Sequence, residues 1–168
     1  GRSASMETEP ELEFRRAMGA FATGVTVVSA TRADGRLSAM TVNSMTAVSL
    51  QPRLILWCLG DKSDRYEHFA EAEAWGLTVL GAGEEQVARR LARHGVGPMS
   101  PDEAEHYHGA PVLRGVGVAH LSCVTHDRRI AGDHLIIIGE VRAFRVNAGD
   151  GLLFFRGRFG RAGVDGSD

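Results

Sequence analysis

The sequence predicts a mainly β protein with α additions, folded as an antiparallel β-barrel. Three observations carry this. Short β-branched or apolar runs recur at close spacing, at 25–31 (VTVVSAT), 53–59 (RLILWCL), 75–80, 112–124 and 134–146. Helical periodicity is confined to a few short segments. No regular strand–helix–strand alternation is present, which argues against a parallel doubly wound sheet.

Length and composition bound the answer. The 168 residues, 18.1 kDa, suit one domain, taken as 6–162, that needs no disulfide or structural metal. A hydrophobic share of 43% with 24% charged residues excludes wholesale disorder. A formal charge of -2 offers no positive field for nucleic acid or anionic lipid, so neither is expected as a partner. Residues 1–5, ahead of Met6, read as a tag-cleavage scar, and 163–168 as a disordered polar tail. The longest apolar runs, 54–59 and 135–138, fall far short of the ~20 residues a membrane-spanning helix requires. Cys58 and Cys123 lie far apart in apolar stretches and read as buried free thiols. With no signal-peptide pattern, a cytoplasmic location is expected. Lys62 is the only lysine; the remaining 18 of the 19 basic residues are arginine.

Thr8-Glu9-Pro10-Glu11 has the form of a capping box. Phe14, Ala17, Met18 and Phe21 then fall on one face of a short helix, which Gly19 and Gly24 should fray and stop. The strand 25–31, the turn Ala33-Asp34-Gly35, extended chain over 37–48 and the strand 53–59 make an opening β-meander. A polar loop at 60–63 leads to a short helix within 64–72, carrying Tyr66, Phe69 and Ala70. A strand at 75–80 precedes a helix at 84–94 with Val87, Ala88 and Leu91 on one face. Residues 94–110 read as a loop, with room for a short helix at 101–106. Long strands at 112–124 and 134–146 follow, joined through 128–133, and 152–155 with 158–159 form a last short strand.

Several motifs need weighing. Gly81-Ala82-Gly83-Glu84-Glu85-Gln86 begins like a dinucleotide fingerprint, but Gln86 replaces the third glycine and the glutamates would repel a pyrophosphate. His106-Tyr107-His108 has no third metal ligand nearby and reads as solvated loop, while His120 reads as a packed or interface histidine. Ser38-Ala39-Met40-Thr41-Val42-Asn43-Ser44-Met45-Thr46 differs from a core strand. Its small side chains would let a flat ligand approach, and its hydroxyls and amide supply donors and acceptors; a polar edge strand is the plainer reading. In Asp61-Lys62-Ser63-Asp64-Arg65, Ser63 could cap a helix while Lys62 and Arg65 add positive charge, which suits a phosphate or a solvated turn equally. Gly132-Asp133-His134 reads as a hairpin turn, with Asp133 placed to favour the imidazolium of His134.

Taken together, these segments resemble one family. Phe14-Arg15-x-Ala17-Met18-Gly19-x-Phe21-Ala22-Thr23-Gly24-Val25-Thr26-Val27-Val28, then Ala39–Ser44, Pro52, 54–59 and Gly132-Asp133-His134, are similar to the flavin reductase-like family of FMN-binding split barrels. The resemblance covers about Glu11 to Gly160. It implies a homodimeric split β-barrel and an NAD(P)H:flavin oxidoreductase that serves a two-component flavin monooxygenase. It also implies roles. Ser38, Ala39, Met40, Thr41, Asn43 and Ser44 would line the isoalloxazine of FMN or FAD. Lys62, Ser63 and Arg65 would hold its phosphate and ribityl end. Gly132, Asp133 and His134 would lie near bound NADH or NADPH, with His134 positioning the nicotinamide nucleotide. Phe155, Arg156 and the 158–160 segment would lie near flavin and dimer partner. Thr78 stands where many relatives carry Asn, so one flavin contact would change.

The implied reaction is hydride transfer from nicotinamide to flavin, followed by release of reduced flavin. It needs stacked rings and no nucleophile, and none is visible in the sequence. Three rival readings remain: a non-catalytic flavin carrier, the same fold holding haem or pyridoxamine phosphate, and a structural dimer module.

Overall fold

The computed structural model describes residues 7–162, so the expected scar and tail lie outside the described residues. An antiparallel seven-stranded sheet dominates. Its strands are β2 (Thr26–Thr31), β3 (Leu37–Val42), β4 (Thr46–Leu50), β5 (Arg53–Gly60), β6 (Ala74–Val79), β9 (Ala119–Ala131) and β10 (His134–Val146), in the order β3-β2-β6-β9-β10-β5-β4. A three-stranded sheet joins β1 (Thr23–Gly24) to the hairpin of β11 (Leu152–Phe155) and β12 (Arg158–Arg161). β7 (Ala104–Tyr107) and β8 (Ala110–Leu113) form a separate hairpin. The helices are α1 (Glu9–Gly19), α2 (Tyr66–Ala70) and α3 (Glu85–Ala92). No described helix is long and apolar enough to cross a membrane.

The expected meander does not form. β2–β3 and β4–β5 are hairpins, but β3 and β4 occupy opposite edges of the sheet and do not pair. Only Asn43-Ser44-Met45 join them, a link that spans at most ~15 Å. The edges must therefore converge, and the sheet curls into a barrel with a seam between β3 and β4. Ser44 bridges to β5: its Oγ accepts the Cys58 N–H at 2.9 Å and donates to the Cys58 carbonyl at 3.4 Å.

Two cores lie on either side of β2–β3, which explains the buried run on β2. Inside the barrel, Val28, Met40 and Val42 pack with Trp57, Trp75, Phe69 and Ile137. Trp57 meets Phe69 and Trp75 edge-on at centroid distances of 5.7 and 5.9 Å. Outside it, Val27 and Ala39 pack with Leu80, Ala88, Leu91 and Leu152 beneath α3. Gly76 is required on β6, because a Cβ there would overlap the Pro111 carbonyl of the crossing β8.

Other differences from the sequence reading are local. Residues 101–106 hold one 3₁₀ turn (Pro101–Glu103) and then β7, so His106 and Tyr107 lie on a strand rather than in a loop. The stretch 112–124 is broken at 114–118: β8 ends at Leu113 and β9 starts at Ala119. The connection expected over 128–133 shrinks to Gly132-Asp133, because β9 runs on to Ala131. The end of the chain forms two strands, joined by Arg156-Gly157 at φ 49 and 75, the signs a two-residue type I′ turn requires.

Helix α1 forms with its capping box, yet buries none of its residues. Phe14, Met18 and Phe21 are 68%, 52% and 70% exposed. The apolar stripe is real, but nothing among the described residues covers it.

Candidate functional site

Three adjoining cavities make one groove along β3 and the seam. The first, about 750 Å³, runs from α1 past Thr23 and Gly24 to Asn43, Ser44 and Thr46. The second, 190 Å³, shares Asn43 and Phe154 with it and reaches Thr41 and Ala92. The third, 410 Å³, shares Thr41 and Ala92 and is walled by Met40, residues 60–65, His94, Asp133 and His134. Met40, Thr41, Asn43, Ser44, Lys62, Ser63, Arg65, Asp133 and His134 thus line a continuous surface.

The far end is held by backbone. The register pairs His134 with Gly60, and the Asp61 N–H donates to the Asp133 carbonyl at 3.0 Å. These bonds bring the hairpin tip beside Lys62. Gly132 takes φ 60 at the first central position of a two-residue turn, where type II′ geometry requires glycine. His134 Nδ1 donates to Asp133 Oδ1 at 2.7 Å, which leaves Nε2 free beside Gly60. A Cβ added at Gly60 would lie 3.6 Å from that nitrogen. The His134 hydrogen bond, with its charge, holds the Asp133 carboxyl below the usual carboxylate range.

The 61–65 loop differs from expectation. Ser63 does not cap a helix. Its Oγ accepts the Arg65 N–H at 3.2 Å, and α2 starts only at Tyr66 with no side-chain cap. Five residues make too short a helix for an anion site, so an incoming phosphate would rely on side chains and turn amides. Arg65 is 4% exposed and its guanidinium is occupied. Nη1 donates to the Ala39 and Leu91 carbonyls, both at 2.8 Å, Nη2 to the Arg93 carbonyl at 2.6 Å, and Nε to Asp64 at 3.2 Å. It joins edge strand β3 to the C-terminal carbonyls of α3, where a cation also suits the helix dipole. Lys62, by contrast, is exposed and has no carboxylate within ion-pair distance among the described residues.

Four expected positions stand apart from the groove. Ser38 is 1% exposed on the barrel side, with its Oγ bonded to His68 Nδ1 at 2.7 Å and to Arg32 Nε at 2.9 Å. Ala39 is buried in the outer core and contributes only its carbonyl, to Arg65. Thr78 is fully buried and accepts the Leu113 N–H at 3.1 Å, pinning β8 to β6. Gly132 shapes the turn without lining the wall. Phe155 and Arg156 line a neighbouring 610 Å³ cavity on the β11–β12 hairpin, with Arg158 and Arg161. It touches the groove through Ala22 and Phe159 and does not reach Lys62 or His134. The fingerprint-like loop binds itself: Glu84 Oε1 accepts the N–H groups of Gly81 at 2.6 Å and Gly117 at 3.0 Å.

A flavin nucleotide suits this groove. The two larger cavities have the size of small-molecule sites, and small polar side chains lie along one wall. Among the described residues, Thr23 Oγ1 is buried without a hydrogen-bond partner on that wall, and Lys62 is an uncommitted cation at the other end. Sequence reasoning passed over Thr23, although it stood within the motif, and His94. No periodicity or motif marked His94, because a non-local clamp brings it to the groove.

Residues 18–163 match the model of the flavin reductase like domain, and the chain belongs to that family. It is 41% identical over 153 residues to the FMN reductase (NADH) SmoA of Agrobacterium fabrum, covering 91% of this chain and 87% of that protein. It is 30% identical over 148 residues to the reductase component of a 4-nitrophenol 4-monooxygenase/4-nitrocatechol 2-monooxygenase of Rhodococcus opacus, covering 88% and 79%. Among solved structures, the Streptomyces globisporus NADH:FAD oxidoreductase SgcE6, in complex with NAD and FAD fragments, superposes with a TM-score of 0.85 at 36% identity, covering 98% of this chain and 100% of that one.

Proposed function

We infer that this protein is an NADH-dependent flavin reductase that reduces FMN or FAD and supplies the product to a separate monooxygenase. One observation carries the reading. The wall carrying the small polar residues Thr41, Asn43 and Ser44 is continuous with a pocket end where Lys62 and His134 stand together. Relatives named as flavin reductases and as a monooxygenase reductase component support it.

Bound flavin would supply the redox chemistry, accepting a hydride from the reduced nicotinamide. The chain's own work is orientation. Thr41 and Asn43 border the narrow middle of the groove, where they would meet an edge of the flavin ring. Lys62 and Ser63 offer charge and a hydroxyl to a phosphate. Asp133 fixes the His134 ring through Nδ1, so that Nε2 can meet the nicotinamide nucleotide. Arg65 sets the spacing of the wall and touches no ligand. Both cysteines are free thiols; Cys123 is buried as expected and burial pushes its thiol up to about 12, whereas Cys58 is only part-buried, yet burial raises its thiol too, so neither serves as a nucleophile. A cytoplasmic location belongs to this reading, since NADH is found there.

The reading includes a homodimer. Phe14, Met18, Phe21 and Phe155 are exposed around the groove, and Met18 and Phe21 also line it. A second copy seated there would cover the stripe and roof the flavin. Met18→Glu is expected to halve the solution mass and weaken flavin binding together; a dimer of unchanged stability would remove this part of the reading. The activity is tested by following NADH consumption with and without added FMN or FAD. Turnover that requires added flavin is expected, and a rate indifferent to flavin would contradict the proposal.

A further inference from the structure

The 410 Å³ end of the groove carries a basic residue beyond those already given a role. His94 lines the same cavity as Lys62 and Ser63 and is 60% exposed. It lies just past α3, and hydrogen bonds from the 61–65 loop grip the backbone on both sides of it. On one side, Arg65 Nη2 donates to the Arg93 carbonyl at 2.6 Å. On the other, the Gly95 N–H donates to Asp64 Oδ2 at 2.6 Å. The remaining Asp64 oxygen, Oδ1, lies 3.8 Å from His94 Nδ1. Two adjacent residues, Asp64 and Arg65, therefore hold His94 in the wall of the cavity that Lys62 also lines. Burial tends to raise the Asp64 pKa, but the Gly95 N–H and Arg65 outweigh it and keep the carboxylate charged.

We propose that His94 and Lys62 form a phosphate-binding pair, with Asp64 and Arg65 as the residues that position His94. The proposal rests on the flavin reductase reading and deepens it. Lys62 is a flexible point charge, and one such cation holds a phosphate loosely. A second donor from another element converts attraction into a defined seat. Arg65 cannot be that donor, because its guanidinium is taken up by three carbonyls and Asp64. The same seat would suit the phosphate of a flavin nucleotide or the pyrophosphate of a nicotinamide nucleotide.

Paired ligands that differ only in phosphate separate these cases. Binding of FMN and riboflavin, and of nicotinamide mononucleotide and nicotinamide riboside, is measured by titration calorimetry for the wild type, His94→Gln and His94→Arg. His94→Gln is expected to leave the melting midpoint unchanged and to cut the FMN-to-riboflavin affinity ratio about fivefold. His94→Arg should retain the ratio. If instead only the ratio of nicotinamide mononucleotide to nicotinamide riboside falls, the pair stands and its ligand is the nicotinamide nucleotide. Equal loss for both members of each pair, or no change in either ratio, overturns it. A wild type that binds neither flavin refutes the flavin reading itself, a failure visible before any variant is made.

Discussion

Replacing Arg65 separates a structural clamp from a ligand arm. Arg65→Met keeps much of the apolar length and removes every donor. The Ala39, Leu91 and Arg93 carbonyls each lose a charged partner held at 2.8 Å or closer, and Asp64 loses its neighbour. A hydrogen bond contributes about 0.5–1.5 kcal/mol net, and about 1 kcal/mol each is a floor for a charged donor. Three such bonds give a loss of about 3 kcal/mol. In a chain of this size that corresponds to a fall of about 6–12 °C in Tm. Thermal melts of the ligand-free protein read it directly, with flavin affinity measured on the same samples. Flavin binding should weaken as well, because the 61–65 loop and the end of α3 lose their shared anchor. An unchanged Tm with weakened FMN binding would refute the clamp and return Arg65 to the phosphate.

Three further outcomes are expected. Gly76→Ala should cost about 3 kcal/mol or prevent folding, since its Cβ would meet the Pro111 backbone, whereas Gly83→Ala, in open space, should be near neutral by urea denaturation. Burial lowers the pKa of His120, and burial with Arg32 nearby lowers that of His68. As pH falls below about 6.5 the unfolded chain takes up protons that the folded one refuses, so stability is full above that pH and declines below it. Melts at a series of pH values should show this decline, and His68→Asn should flatten it. His134→Ala should raise the KM for NADH by about tenfold and lower kcat less, because its role is positioning; an unchanged KM in steady-state kinetics would remove that role.

Much of the fold was legible because strand patterning and turn chemistry are local. The capping box at Thr8, the strands 53–59 and 134–146 and the turn at Gly132-Asp133 all appear near their expected places. Topology was less legible. Nothing local distinguishes a meander from two hairpins at opposite edges, and the Asn43-Ser44-Met45 link looks like continuing strand. The site was legible where small polar residues cluster, at Thr41, Asn43 and Ser44. It was misleading where a residue type fits two roles. Arg65 reads as a phosphate arm because arginine suits phosphate, yet burial commits it to carbonyls. Ser38 follows the strand's alternation to the barrel side, and only the register shows which face it takes.

Anaerobic stopped-flow mixing of the protein and FMN or FAD with NADH, watching the oxidised flavin absorbance, tests the assignment most directly. Rapid bleaching that depends on the protein is expected. Flavin that binds but is not bleached by either nicotinamide nucleotide would make this chain a carrier, and contradict its assignment as a reductase.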